Sequence, residues 1–352
     1  MLEDYYEKYN RPIIYVNQTG GQDELVFDGS SLIVGLEDNN LKILNSFQTD
    51  SISLNYDELK FISTANEENL NPNKLDDIYD ALVLGTRDYV EKNGFKGVII
   101  GSSGGIDSAL TTVIAHDALG KEKVKTVMMP FDYTSDISLE DAKSLATNLG
   151  ISHSEISIKE MFEAFNKGLS TSFNGLKEDK TEENLQSRCR GVTLMALSNK
   201  LGYLVLTTGN KSEAAVGYST LYGDTAGGFS VLKDVSKTLV YELAKYRNKR
   251  SVVIPQRIID RPPSAELAPD QKDTDSLPDY DRLDPIIEMY VEKDKSIQEI
   301  IGEGFDENEV RKIVSLIDFN EYKRRQAPLG IKISDRNFGK DRRYPITNAW
   351  KP

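Results

Sequence analysis

The stretch "FKGVIIGSSGGIDSALTTVIAHDALG", residues 95–120, joins a short apolar run, a glycine-rich turn and a helical pattern. The run "GVII" predicts a buried strand, and the apolar spacing after Asp107 predicts a helix. A strand, a tight turn and a helix in this order are typical of a βαβ unit. The stretch therefore predicts a glycine-rich loop at the carboxyl end of a parallel strand, where ligands of such sheets bind.

The same alternation of strand and helix patterns continues along the chain. The predicted strands "KTVMMPF" (125–131) and "SEISI" (154–158) are each followed by a helical pattern, and the predicted helix at 183–202 leads into "YLVLTTG" (203–209). This order predicts an α/β fold, a parallel sheet with helices on both faces. The loops after Ile100, Met129 and Leu206 are expected to meet at one edge of that sheet.

Three segments differ from this pattern. Residues 11–56 predict short strands ("RPIIYVN", "ELVFDGSSLIVG" and "LKILNSF") separated by the turn signals "TGGQDE" and "EDNN". Residues 168–182 are polar, and residues 255–285 hold half of the twelve prolines. A long irregular segment inside a compact domain is often a functional lid, which is the interpretation favoured for 255–285. The tail pattern "DENEVRKIVSLIDFNEYKRRQ" predicts one helix.

Composition excludes several classes of protein. A net charge of −13 over 352 residues argues against a nucleic-acid partner, which requires a basic surface. No apolar run is long enough to span a membrane, and the acidic, aromatic N-terminus is unlike a signal peptide. Cys189 is the single cysteine, which excludes an internal disulfide and a cysteine-based zinc site. These features predict a cytoplasmic protein, with Cys189 as a small buried residue.

The loop "GSSGGIDS" (101–108) has the features of a phosphate-binding turn. It lacks the lysine of a Walker loop and the spacing of a dinucleotide fingerprint, but it lies between a strand and a helix N-terminus, where anions bind. Asp107 opposes a bare phosphate, and a Mg²⁺ ion between the two would remove that conflict. The alternative is a glycine-rich turn in which Asp107 only caps the helix.

The pattern S-G-G-x-D-S after a strand resembles the loop of the N-type ATP pyrophosphatases, which cleave ATP between its α and β phosphates. The segments at 182–191, 207–229, 261–267, 321–328 and 338–348 resemble the NAD synthetase family, especially its form fused to a glutaminase. The resemblance implies the Rossmann-like adenine nucleotide alpha hydrolase fold. Residues 11–31 resemble the last strands of the nitrilase-like glutaminase domain. The implied organisation is a glutaminase remnant at 1–60 and a synthetase domain at 61–352.

The family reaction converts deamido-NAD, ATP and ammonia to NAD, AMP and pyrophosphate through an acyl-adenylate. The resemblance implies ammonia as the nitrogen donor, since the glutaminase Glu, Lys and Cys would lie upstream of this chain's start. It also implies a homodimer or a larger homo-oligomer. Two alternatives stay open: another adenylylating amidotransferase of the same fold, acting for example on XMP, and a nucleotide-binding module without catalysis.

Site residues carry over from the family position by position. Catalytic roles fall on Asp107 and Lys237, and the Mg²⁺ ligands are Asp107 and Glu213. The residues implied to bind ATP are Gly101, Ser102, Ser103, Gly104, Gly105, Ile106, Asp107, Ser108, Thr208, Lys237 and Ser264. The residues implied to bind deamido-NAD are Asn184, Arg188, Glu213 and Lys323. The two histidines, His116 and His153, lack partners at ligand spacing and are predicted to be structural.

Overall fold

The computed structural model describes residues 2–9, 11–34, 42–53, 74–264, 266–268, 271 and 277–347. Its strands are β1 Ile13–Tyr15, β2 Thr19–Gln22, β3 Leu25–Asp28, β4 Leu32–Val34, β5 Lys42–Ile43, β6 Val98–Ser102, β7 Val124–Met128, β8 Ser152–Glu155, β9 Leu204–Thr207 and β10 Phe229–Ser230. Its first helices are α1 Leu2–Tyr9, α2 Lys74–Lys92, α3 Ile106–Leu119, α4 Asp136–Leu149, α5 Lys159–Leu169, α6 Lys180–Leu201, α7 Lys211–Val216 and α8 Lys237–Arg250. The remaining helices are α9 Gln256–Asp260, α10 Tyr280–Ile287, α11 Ile297–Gly302, α12 Glu307–Phe319 and α13 Glu321–Arg324.

The central element is a five-stranded parallel sheet in the order β10-β9-β6-β7-β8. The chain moves outward from β6 to β7 and β8, then returns to place β9 on the other side of β6. The neighbours β6 and β9 therefore flank the point where the strand order reverses, and a crevice opens there at the carboxyl ends of the strands. The predicted α/β fold is confirmed, and the loops after β6 and β9 meet at this crevice.

Alternate residues of each central strand pack into different cores, because successive side chains point to opposite faces of a sheet. Val98 and Ile100 of β6 belong to the core shared with α2, α3 and α8, whereas Ile99 belongs to the core shared with α6. Both faces are thus covered by helices, which explains the continuous apolar run "VII" in place of an alternating one. A third core is formed by α7, α10 and α12.

The N-terminal strands form two small antiparallel sheets, β1-β4-β5 and the hairpin β2-β3. The sequence interpretation of "TGGQDE" as a turn is wrong, because Thr19–Gln22 is a strand and only residues 23–24 turn. The hairpin is held on α2, where the Gly21 N–H donates to the Asp88 carboxylate over 2.8 Å and Lys92 donates to the Gly21 carbonyl over 2.8 Å. This segment therefore depends on the main body of the protein for its packing.

Three other boundaries differ from the prediction. The segment 255–285 is not wholly irregular, since α9 and the start of α10 lie at its ends; Ala265, 269–270 and 272–276 lie outside the described residues. The strand predicted at 154–158 is Ser152–Glu155. The predicted tail helix is broken at Asn320, whose side-chain amide donates to the carbonyls of Val216 and Leu316.

Candidate active site

The glycine-rich loop is shaped by its own serines and by a close approach to α4. Ser108 Oγ receives a hydrogen bond from the Ser103 N–H and donates to the Gly105 carbonyl, over 3.2 and 3.0 Å. Gly104 has φ +73°, and a Cβ there would lie 2.4 Å from the Ser138 carbonyl oxygen. Only glycine fits this position, and the serine hydrogen bonds together with this close approach define the conformation of the loop.

A cavity of about 420 Å³ opens at the carboxyl ends of β6 and β9. One side, which we call the phosphate side after the role predicted from the sequence, consists of the loop 101–108 with Thr208, Glu213 and Lys237. Its α6 side consists of α6 residues, Lys323 and six residues of the loop 217–224. Of the fifteen sequence-predicted site residues, thirteen line the cavity, while Gly104 and Arg188 are not among its lining residues. The volume suits a small-molecule ligand.

On the phosphate side, three charged groups converge. Lys237 Nζ lies 2.5 Å from Asp107 Oδ2 and 3.5 Å from Glu213 Oε1, and its side chain is almost completely buried. Asp107 comes from the N-terminus of α3, Glu213 from α7 and Lys237 from α8. A buried ammonium between two carboxylates is a compact charged cluster that can both attract a cation and neutralise phosphate oxygens.

Asn210 holds this cluster together and was missed by the sequence reasoning. Its Nδ2 donates to Asp107 Oδ1 over 2.8 Å, and its Oδ1 accepts from the Glu213 N–H over 3.0 Å. Glu213 in turn accepts from the Asn210 N–H, which completes a capping box at the start of α7. The spacing N-x-x-E in "NKSE" (210–213) carries the capping-box signature by which the pair could have been found.

The two carboxylates fit a Mg²⁺ ion. Within the described ranges no group of three or more His, Cys, Asp or Glu side chains could hold a metal. Mg²⁺, however, binds proteins through one or two carboxylates and completes its shell with water and substrate phosphates. Asp107 and Glu213 are such a pair of carboxylates, and both lie within 4 Å of the Lys237 ammonium.

A buried lysine fixes the start of α7, the helix that carries Glu213. Lys211 Nζ lies 2.7 Å from Asp234 and 2.6 Å from Glu292, and it donates to Ser334 Oγ over 2.9 Å. Its side chain is 3% exposed, so the ammonium relies on these partners in place of water. Glu292 belongs to a π-helical turn, residues 288–292, that continues α10.

On the α6 side, the polar side chains are bound to the loop 217–224. Lys323 Nζ donates to the carbonyls of Gly217 and Ser219 over 2.7 and 2.8 Å, and burial lowers the pKa of this lysine. Thr220 Oγ1 donates to Asn184 Oδ1, and the Thr220 N–H donates to Asp224. Burial raises the pKa of Asp224. These contacts give the loop one fixed conformation along the cavity wall.

Two arginines of α6 take different positions. The predicted site residue Arg188 is exposed, and its Nε donates to the Leu221 carbonyl over 3.2 Å. Arg190 lines the cavity, its Nε donates to the Met129 carbonyl over 3.0 Å, and burial lowers its pKa to about 10. The sequence reasoning missed Arg190. The sequence signal for Arg190 was weak. Leu194, one turn later on α6, is apolar, and residues four apart lie on the same face of a helix.

The segment around "RPPSAEL" contacts the glycine-rich loop and α4. Glu266 accepts hydrogen bonds from Ser135 Oγ and Ser138 Oγ over 2.9 and 2.8 Å, at the N-terminus of α4. Arg261 donates to the Gly104 carbonyl over 3.3 Å and to Ser138 Oγ over 2.9 Å. Ser264 lines the cavity and donates to the Gln271 carbonyl over 2.5 Å. In this conformation the segment forms one wall of the cavity.

The remaining candidates have structural surroundings. Cys189 is buried among apolar residues, and burial raises the pKa of its thiol. His116 Nδ1 pairs with Asp117, which also binds Tyr79 and Arg247. His153 Nδ1 pairs with Thr126. Over the described residues no helix has the length and apolar character needed to cross a membrane.

Comparison with known proteins shows similarity to NAD synthetases. The family model for NAD synthase matches residues 78–327. Glutamine-dependent NAD(+) synthetase from Acinetobacter baylyi is 52% identical over 357 residues, and the match covers 100% of this chain and 65% of that protein. The chain thus spans about two thirds of that relative's length.

Solved structures give the same result. Glutamine-dependent NAD+ synthetase from Acinetobacter baumannii, in complex with ADP, is 47% identical with a TM-score of 0.69, covering 99% of this chain and 64% of that one. NH3-dependent NAD synthetase from Campylobacter jejuni, in complex with the nitrate ion, is 26% identical with a TM-score of 0.59, covering 72% of this chain and 96% of that one. The family model matches most of the chain, and a glycine-rich loop, two carboxylates and a lysine lie at the switch point of the sheet. The chain belongs to the NAD synthase family.

Proposed function

We propose that the chain catalyses ATP-dependent amidation of deamido-NAD to NAD, releasing AMP and pyrophosphate. The observation that carries the proposal is the convergence of Asp107, Glu213 and Lys237 at the switch point, beside a glycine-rich loop held by its own serines. The nicotinate carboxylate attacks the α-phosphorus of ATP, and the α–β bond breaks as pyrophosphate leaves. Ammonia then attacks the acyl carbon of the adenylate, and AMP leaves.

The residues of the phosphate side position ATP and balance its charge. The loop Gly101–Ser108 offers N–H groups and hydroxyls to the phosphates, and Lys237 neutralises charge as pyrophosphate departs. Thr208 and Ser264, which both line the cavity, contact ATP in this proposal. A Mg²⁺ ion held by Asp107 and Glu213 would supply further charge neutralisation to the phosphate oxygens.

The α6 side binds the second substrate in this proposal. Asn184, Glu213 and Lys323 line the cavity and contact deamido-NAD, with Arg190 as an additional cation for its phosphates. Arg188 lies outside the cavity lining and stays a predicted contact only. The segment of Ser264 and Glu266 shields the acyl-adenylate, because water would hydrolyse it.

We propose ammonia as the nitrogen donor of this chain. The single cysteine, Cys189, is 2% exposed within a core of α6, which is unsuited to a glutaminase nucleophile. The curated relative is named glutamine-dependent and is longer than this chain. In this proposal residues 1–60 correspond to the last strands of a glutaminase domain and 61–352 form the synthetase domain, with the hairpin β2-β3 linking the two through α2.

A homodimer in the cytoplasm completes the proposal. Helices α5 and α6 expose the apolar side chains of Met161, Phe165, Val192 and Met195. Exposed apolar residues on two adjacent helices are typical of a surface that a second copy covers. Size-exclusion chromatography with light scattering measures the mass, and a monomer at all concentrations contradicts the dimer.

One assay tests the reaction and the donor together. The protein is incubated with MgATP, deamido-NAD and either ammonium or glutamine, and NAD and AMP are quantified. We expect both products in equal amounts with ammonium and neither with glutamine. Absence of both products with ammonium would overturn the function, and equal rates with both donors would overturn the choice of ammonia.

Two controls separate the alternatives. XMP and nicotinate mononucleotide replace deamido-NAD in parallel reactions; preferred turnover of XMP identifies another amidotransferase. The Asp107→Asn variant tests the non-catalytic alternative, since a binding module forms no AMP in either protein. We expect AMP formation by the parent protein and its loss in the variant.

A further inference from the structure

Helix α10 follows the proline-rich segment and packs against both α7 and α8, which carry Glu213 and Lys237. Its buried residue Asp284 bridges them. Asp284 Oδ2 accepts from the N–H and Oγ1 of Thr238 over 2.9 and 2.8 Å. Its Oδ1 accepts a hydrogen bond from Ser212 Oγ, and Ser212 Oγ accepts from the Lys237 N–H over 2.9 Å.

The partners of Asp284 are the sequence neighbours of the two proposed site residues. Ser212 precedes Glu213, and Thr238 follows Lys237. The Asp284 carboxylate is thus hydrogen-bonded next to Glu213 on α7 and next to Lys237 on α8. A change in this carboxylate therefore moves both groups relative to Asp107.

Electrostatics explains why a charge is used at this position. Lys237 is the first residue of α8, where the helix dipole disfavours a cation, and the first turn of α8 contains no acidic residue. Asp284 supplies the missing negative charge from another helix. It accepts hydrogen bonds directly or through Ser212 from the first two N–H groups of α8.

Tyr280 adds a contact to the ammonium itself. It lies one turn before Asp284 on α10, so both side chains face the same way. Lys237 Nζ lies 5.4 Å from the centre of the Tyr280 ring, within the range of a cation–π interaction. The Tyr280 ring thus contacts the ammonium of Lys237, and Asp284 holds the backbone N–H of Lys237 through Ser212.

We infer that Asp284 and Tyr280 are positioning residues that align Lys237 and Glu213 with the phosphate loop. The inference rests on the proposed use of Lys237 at the phosphates of ATP. It assigns α10 a function beyond packing, because two of its side chains contact Lys237 or the backbone next to it.

The test measures binding of magnesium with α,β-methylene-ATP by titration calorimetry, which needs no turnover and no second substrate. Four proteins form a double-mutant cycle: the parent, Asp284→Asn, Lys237→Met and the double variant. We expect Asp284→Asn to weaken binding about tenfold in the parent and less than about twofold in the Lys237→Met background. Equal weakening in both backgrounds, or none in the parent, would overturn the inference.

Controls separate positioning from folding. Asp281→Asn removes the same charge from an exposed position of α10 and should leave binding within about twofold of the parent. Thermal unfolding of every variant reports its fold. Where Asp284→Asn fails to fold, Tyr280→Leu and Tyr280→Phe replace it: loss of binding with leucine and its retention with phenylalanine supports the inference, and equal binding contradicts it.

The same experiment distinguishes this inference from the proposed function. If the binding cycle shows coupling but the parent forms no NAD from deamido-NAD and ammonium, the proposed reaction is wrong and the positioning stands. If the parent forms NAD but the cycle shows no coupling, the reaction stands and the positioning is wrong. If the parent does not bind the analogue, both are wrong.

Discussion

The two sides of the cavity use charge in different ways. On the phosphate side, Asp107, Glu213 and Lys237 contact one another across three elements. On the α6 side, Lys323 and Asp224 bind the backbone of residues 217–224. On the phosphate side the charged groups pair with one another. On the α6 side they mainly hold the backbone of the cavity wall in one conformation.

Lys237→Met tests the phosphate side and should have the largest effect. The variant keeps most of the side-chain volume but leaves the two carboxylates without their shared cation, so we expect kcat for AMP formation to fall about a thousandfold. Lys245→Met, an exposed position of the same helix, is the matched control. A rise in KM for ATP with kcat unchanged would show that Lys237 binds the ground state and the transition state equally and does not accelerate the chemical step.

Arg190→Ala and Arg188→Ala test the α6 side as a pair. Arg190 lines the cavity and Arg188 is exposed, so we expect kcat/KM for deamido-NAD to fall about thirtyfold in the first variant and less than about threefold in the second. Steady-state kinetics with saturating MgATP measures both. The reverse order would return Arg188 to the site and remove Arg190 from it.

Glu266→Gln tests the wall that joins the two sides. The amide keeps the shape of the carboxylate but removes the negative charge at the N-terminus of α4, so we expect kcat/KM for ATP to fall about tenfold. Asp136→Asn, an exposed acid in the same helix turn, is the control. Equal values for the two variants would mean that Glu266 does not hold the segment in place.

His153→Gln should leave both sides of the cavity unchanged. It should alter only how the free energy of unfolding depends on pH. Burial lowers the pKa of His153, so its unfolded form takes up a proton at a higher pH than the folded form. The folded state therefore has its full stability above the unfolded value of about 6.5 and loses stability as pH falls below it. Urea unfolding at about pH 7.5 and about pH 5.5 should show a larger loss for the parent than for the variant.

The sheet could be predicted because its strand and helix patterns are local. The predictions that were wrong include two elements whose structure depends at least in part on a contact distant in sequence. The glycine-rich β2 is a strand only because it pairs with β3 and is held by Asp88. The helix break at Asn320 depends on the carbonyl of Val216, which no local pattern indicates.

The site divides in the same way. The glycine-rich loop 101–108 is contiguous in sequence, and its strand–turn–helix context predicted its place at the sheet edge. The choice between Arg188 and Arg190 depends on which face of α6 meets β7 and its following loop, where Met129 accepts from Arg190. Two arginines separated by one residue cannot be distinguished until α6 has been placed against the sheet.

The buried Lys211 has a consequence for biosynthesis. Every segment that forms the phosphate side has left the ribosome soon after Lys237, yet the partners of Lys211 include Glu292 and Ser334. Until those residues emerge, α7 can bury only an incompletely paired ammonium, which is costly. The nascent chain therefore completes the pairing of Lys211 only once Ser334 has emerged, and a chain released before Ser334 carries Asp107, Glu213 and Lys237 beside an α7 whose buried lysine is incompletely paired.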